Sequence, residues 1–181
     1  MKIRRAAVAT VSTVAALGVV SLSATAADAA PARPANSAHS PYKVKSMHKV
    51  GKSWAVETTS ILKNANAACN KADHLFYKKP KKGYVYVVVQ FTGKKLTGGK
   101  KQNLGDGIIT NLRAKDGKQY GQDYGIVAPH DAANSKAVGK NHKTSGGFVY
   151  MVKKSDVKAG HLEAMVEGTG VHDETIYFFN T

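Results

Sequence analysis

Gly83-Tyr84-Val85-Tyr86-Val87-Val88-Val89-Gln90-Phe91-Thr92 reads as a central β-strand. Five of its residues are β-branched and three are aromatic, the side chains that fit a pleated, half-buried surface. A period of two places Val85, Val87, Val89 and Phe91 on one face. Tyr84, Tyr86, Val88, Gln90 and Thr92 fall on the other. The first face is wholly apolar, so something must cover it.

On either side of this run the sequence is strongly basic. Lys78, Lys79, Lys81 and Lys82 precede it, and Lys94, Lys95, Lys100 and Lys101 follow it. The second group lies in Gly93–Lys101, which reads as a flexible Lys-Gly loop. Nine extended residues span about 30 Å, far more than the Debye length of about 8 Å at physiological salt. Two separate cationic patches are therefore expected, one at each end of the strand.

Working toward the N-terminus, Lys63–Lys82 reads as a long, partly ordered loop, with a short helix over Ala65–Leu75 as the alternative. Trp54–Ile61 is a strand candidate. Tyr42–Val50 alternates weakly and reads as an edge strand whose lysines deter pairing with another edge. Residues 30–41 hold Pro31, Pro34 and Pro41 among Ala, Ser and Asn, and read as a disordered linker. Residues 1–29 have the parts of a secretory signal peptide. Met1-Lys2-Ile3-Arg4-Arg5 is the charged start, Ala6–Ala24 the uncharged run, and Ala27-Asp28-Ala29 the small-x-small cleavage site. The folded domain is expected over 42–181, with no transmembrane segment in the mature chain.

Toward the C-terminus, Ile108–Ala114 is a strand with Ile108, Thr110, Leu112 and Ala114 on one side. Lys115-Asp116-Gly117-Lys118 is a turn, expected as type I′ because Asp-Gly tolerates positive φ, with Gln119-Tyr120 pairing back. Residues 121–145 read as a long polar loop with one apolar patch at Ile126-Val127-Ala128. Gly146–Val152 is a strand with Phe148, Tyr150 and Val152 on one face. His161–Val166 is another, with Leu162, Ala164 and Val166 inward, and Thr175–Phe179 closes the domain. About seven short strands with turn signals between them and no long helix indicate an all-β sandwich.

These stretches resemble a known family. Gly83–Thr92, Leu112-Arg113-Ala114-Lys115-Asp116-Gly117-Lys118-Gln119-Tyr120, Gly146–Val152 and Leu162–Val166 follow one another as do the strand, hairpin and strand motifs of domain of unknown function 4352. The resemblance spans Val44 to Phe179. It implies an immunoglobulin-like antiparallel β-sandwich related to immunoprotective extracellular antigens of secreted bacterial proteins. It implies no enzyme activity and no catalytic residue. Two departures stand out. The Lys-Gly loop 93–101 follows the first strand, and Lys153 replaces the proline expected after Val152.

Composition narrows the chemistry. The whole chain carries 27 Lys and Arg against 12 Asp and Glu. Cleavage after Ala29 removes three basic residues and one acidic one, leaving 24 against 11. Only Arg33 and Arg113 of the 24 are arginine. Lysine is a hydrated point charge, whereas arginine makes the bidentate contacts of specific phosphate and base readout. Only Tyr77 is interleaved with the lysines, so base stacking is unsupported and no specific nucleic acid is expected. Neither Gly98-Gly99-Lys100-Lys101 nor Gly105-Asp106-Gly107 joins a strand to a helix, as a phosphate cradle requires. The single Cys69 cannot form an internal disulfide; a pairing between chains is the functional alternative to a spare thiol.

The seven histidines are His39, His48, His74, His130, His142, His161 and His172. None has the paired helical spacing with a glutamate that zinc peptidases use, and no G-x-S-x-G occurs. No cofactor and no metal are expected. The leading expectation is a secreted, non-catalytic binding module. Lys78, Lys79, Lys81, Lys82, Lys94, Lys95, Lys100 and Lys101 would attract anionic cell-wall polymer, lipid headgroup or acidic protein. The alternative is a secreted metal-dependent or hydrolytic enzyme with its site in the 121–145 loop at Asp123, His130, Asp131 and His142.

Overall fold

The computed structural model describes residues 36–170 and 175–181. The expected signal peptide, the linker up to residue 35 and the pair His172-Asp173 lie outside them. Among the described residues eight strands form two four-stranded antiparallel sheets. The first contains β1 (His48–Val50), β2 (Trp54–Leu62), β3 (Tyr84–Lys95) and β6 (Lys143–Lys153), in that order. The second runs β5 (Gln119–Gly121), β4 (Ile108–Ala114), β7 (Leu162–Gly168), β8 (Tyr177–Asn180). The chain is an all-β sandwich, as the alternation predicts.

β3 is the central strand of its sheet, in register with β2 from Trp54↔Lys95 to Leu62↔Val88 and with β6 from Tyr84↔Lys153 to Lys94↔Lys143. Val85, Val87, Val89 and Phe91 all face the inter-sheet core. There they meet Phe148, Tyr150 and Val152 of β6, Leu112 of β4, and Leu162, Ala164 and Val166 of β7. Phe91 and Phe148 pack edge to face at 5.7 Å, the arrangement the ring quadrupole favours. Tyr150 donates a 2.6 Å hydrogen bond across the sandwich to Thr110 Oγ1 on β4.

The opposite face of β3 is covered too. Tyr86, Val88 and Val149 form a second apolar cluster with Ala65, Cys69, Ile126 and Ala128. The cover comes from α1 (Asn66–Ala72) and from the 121–132 loop. Backbone satisfaction explains why a seven-residue helix holds here. β2 runs out at Leu62, opposite Val88, and leaves the Tyr86 backbone without a strand partner on that side. The Ala65 N–H donates to Tyr86 O at 2.8 Å, and the Tyr86 N–H donates to Asn66 Oδ1 at 2.9 Å. Buried backbone groups must find such partners, so the sheet itself fixes where the helix starts.

Several expectations are corrected. β3 continues through Gly93, Lys94 and Lys95, so the Lys-Gly loop begins later than the glycine suggests. The Lys115–Lys118 turn is not type I′, because only Gly117 takes a positive φ, at 85°. The Gly117 N–H donates to Ala114 O and the Ala114 N–H to Lys118 O, which is a three-residue loop with glycine in the left-handed position. Between β6 and β7 the chain makes the short helix α3 (Lys154–Lys158). The four residues Leu104–Gly107, read only as a glycine-rich stretch, make the single turn α2. The first strand is His48–Val50, shorter than Tyr42–Val50.

Asn36–Pro41, the described end of the expected linker, is tied to the domain. Asn36 Oδ1 accepts from the Phe178 N–H, and the Tyr42 N–H donates to Phe178 O. These residues run beside the outer edge of β8. The outer edge of β6 is covered in the same manner by the 121–132 loop, through Asp123 N–H to Val149 O, Gly147 N–H to His130 O and Ala132 N–H to Gly147 O.

Candidate polyanion-binding site

The eight lysines singled out from the sequence take three different roles. Lys79, Lys81 and Lys82 line an open concavity of 470 Å³ between α1 and the start of β3. Tyr77, Tyr84, Asn66 and Asn70 line it as well, and so does Lys154, which sequence reasoning missed. The antiparallel register brings Lys154 there. Tyr84 pairs with Lys153, and the Lys154 N–H donates to Gly83 O at 2.9 Å. Pairing the two longest apolar runs in the sequence would have put Lys154 beside Gly83. Lys78 is exposed and outside this lining, and its carbonyl accepts a 3.0 Å hydrogen bond from the Tyr86 phenol.

The floor of the concavity is stiff. Tyr77 packs edge to face on Tyr86 with ring centroids 6.0 Å apart. Tyr86 is 1% exposed, and its phenol is pushed up to about 12, by burial first and then by the negative charges that Asp123, Tyr77 and Cys69 would present. Cys69 lies on the buried face of α1. Burial, with the Asp123 carboxylate adding to it, pushes its thiol up to about 11. A buried thiol held protonated is a poor nucleophile, so the folded domain offers it neither for catalysis nor for a disulfide between chains.

The second group of lysines divides. Lys95 is 4% exposed; its Nζ donates to Gln102 Oε1 at 2.9 Å and lies 5.9 Å from the Trp54 ring centroid. It is a core residue, not a surface ligand, and the expectation for it is withdrawn. Lys94 is half-buried and stands opposite Lys143 across the β3–β6 ladder. Lys100 is exposed. Lys101 lines a second concavity, of 390 Å³, with Lys136, Lys140, Lys143 and His142. Lys136, Lys140 and Lys143 were not anticipated, because they belong to a stretch read only as loop. β3 separates the two concavities by about 35 Å, at ~3.3 Å per residue over its length. At that distance their charges are screened from one another at physiological salt.

The alternative site in the 121–145 loop is not assembled. Asp131 holds its own loop: Oδ1 accepts from the Ala133 N–H and Oδ2 from the Ala128 N–H. Asp123 Oδ1 accepts from the Gly125 N–H in the same way. His130 lies at the level of Gly147 on β6, while His142 precedes the first residue of that strand. Five extended residues separate those levels, about 16 Å. Among the described residues no three His, Cys, Asp or Glu side chains come together as a metal site would need.

No protein-family model matches the chain, and no curated protein matches it in sequence. Solved structures with similar folds include the yjhA protein from Bacillus subtilis, 11% identical, covering 77% of this chain and 98% of that one, with a TM-score of 0.49. An uncharacterized β-sandwich protein from Clostridium difficile 630 is 13% identical, covering 78% and 94%, with a TM-score of 0.46. A conserved hypothetical protein from Bacillus anthracis is 16% identical, covering 76% and 94%, with a TM-score of 0.46. At these identities the likeness is one of fold.

Proposed function

We propose that this chain is a secreted, non-catalytic binding module of the domain of unknown function 4352 type, and that it holds an anionic envelope component through lysine contacts. The observation that carries the reading is the concavity at the start of β3, where Lys79, Lys81, Lys82 and Lys154 converge around Tyr77 and Tyr84. Four ammonium groups on a stiff floor suit a ligand with repeated negative charge. They do not suit sequence-specific readout, which relies on arginine forks. The charged start and uncharged run of residues 1–29 support export.

The test is retention of the mature protein on immobilised polyphosphate as a function of salt. Lysine-driven binding weakens steeply with ionic strength, and the slope of log K against log salt falls by about one for each contact removed. The variant Lys79→Gln/Lys81→Gln/Lys82→Gln/Lys154→Gln should elute at much lower salt with its stability unchanged. Elution unchanged by all four substitutions would overturn the proposal.

A further inference from the structure

We propose that the loop from Asp73 to Lys82 docks the domain on an anionic phospholipid bilayer. Leu75 and Phe76 would enter the boundary between headgroups and acyl chains, while the lysines beside them hold the phosphates. This rests on reading Lys79, Lys81 and Lys82 as an anion-binding face, and it names the partner.

Leu75 is 77% exposed and Phe76 73% exposed. Single exposed apolar residues are ordinary on a protein surface. Two large ones in succession at a loop tip are not; the other exposed large apolar residues among those described, such as Leu62 and Tyr124, stand singly. The tip is also a formed turn. Asp73 Oδ1 accepts from both the Leu75 and the Phe76 N–H, each at 3.2 Å. Its base is pinned by Tyr77 against Tyr86 and by the Tyr86 phenol on Lys78 O. The loop therefore presents its two apolar side chains outward from a fixed stem, and little ordering remains to be done on binding.

Charge selects the occupant. From Lys71 to Lys82 the chain carries five lysines and one aspartate. An apolar tip flanked along the chain by lysine is complementary to a surface that is anionic outside and apolar beneath. A soluble polyanion satisfies the lysines and leaves Leu75 and Phe76 in water. The other cationic concavity, around Lys101 and Lys143, includes no exposed large apolar side chain in its lining. Membrane docking is therefore assigned to one end of the sandwich only.

The experiment is flotation of the mature protein with phosphatidylcholine vesicles, with and without phosphatidylglycerol. Binding should require phosphatidylglycerol. Neutralising a lysine at the surface should weaken it by roughly fivefold each. Leu75→Ser/Phe76→Ser should weaken it by at least about tenfold while leaving both thermal stability and polyphosphate retention unchanged. In Phe76→Trp the new indole should shift its emission to the blue on phosphatidylglycerol vesicles and be quenched by brominated acyl chains, while Trp54 stays in the core. The inference is overturned by no blue shift in Phe76→Trp, or by vesicle binding of Leu75→Ser/Phe76→Ser equal to that of the parent. If polyphosphate retention persists in either case, the polyanion reading stands and only the bilayer is lost. If the parent binds neither vesicles nor polyphosphate, both fall. Capture of an acidic protein through Leu75 and Phe76, without vesicle binding, also overturns it.

Discussion

Tyr150 on β6 and Thr110 on β4 are joined by a hydrogen bond of 2.6 Å through the middle of the sandwich, both side chains almost wholly buried. The phenol donates, and burial drives its ionisation well above the ordinary range. It is a polar link within the apolar core between the two sheets. Tyr150→Phe should cost about 1–3 kcal/mol, because it strands the Thr110 hydroxyl without its partner in a place water does not reach. Tyr150→Phe combined with Thr110→Val should recover part of that loss. A double-mutant cycle by urea denaturation measures the coupling; strictly additive losses would mean the bond contributes nothing.

The indole of Trp54 lies against the α-carbon of Gly107. A methyl group added there would stand 2.3 Å from Trp54 Nε1. The ring also packs close to Gly93, where a built Cβ would stand 3.0 Å from Trp54 Cε3, so it has little room to move aside. Gly107→Ala should therefore destabilise by about 1–3 kcal/mol through overpacking. Gly98→Ala, with open space around it and an ordinary φ, is the control and should be close to neutral. Thermal unfolding of the two variants compares them directly.

Much of this was legible from alternation alone. Ile108–Ala114 forms a strand with the expected bounds, and Val85, Val87, Val89 and Phe91 face the core as their spacing requires. What alternation could not show was anything set by a distant partner. α1 depends on the Tyr86 backbone left unpaired where β2 ends, a fact of register and not of local pattern. Lys95 looked like its neighbours Lys94 and Lys100. Only the extension of β3 past Gly93 turns it inward, over Trp54. The site was half legible. Three of its lysines lie in one visible cluster, while Lys154 arrives through the β3–β6 ladder. The Asp-Gly pair announced a turn, but its type depends on the single residue that takes a positive φ.

Lys95 and Lys101 should separate stability from binding. Lys95→Ala should cost about 1–2 kcal/mol, since its aliphatic stem is lost from the core, and should leave polyphosphate retention unchanged. Lys101→Ala should leave stability within about 0.5 kcal/mol and lower the eluting salt if the second concavity also binds anions. Denaturant midpoints and elution profiles for both variants test this split.

Alkaline pH should loosen the outer face of the first sheet. The Cys69 thiol rises from 9.0 to about 11 on folding, and the Tyr86 phenol from 10.0 to about 12. A group whose folded value is raised contributes its stability fully below the unfolded value and loses it as pH climbs through the folded one. Stability should accordingly be level up to pH 9, fall from 9 to about 11 as the unfolded thiol ionises while the folded one keeps its proton, and fall further from 10 to about 12 through Tyr86 in the same way. Cys69→Ala should remove the first part of that decline. Urea midpoints taken from about pH 8 to about pH 11 show it. Below pH 9 the native thiol should resist a maleimide that labels the unfolded chain at once.

The strap of residues 121–132 along β6 has a meaning beyond the domain it closes. β6 is eleven residues long and borders its sheet, and a bare border of that length is a template for polymerisation. By bonding to Gly147 and Val149 with its own backbone, the strap denies the middle of that border to another copy. Excising the strap would turn a self-contained molecule into a monomer ready to build fibres.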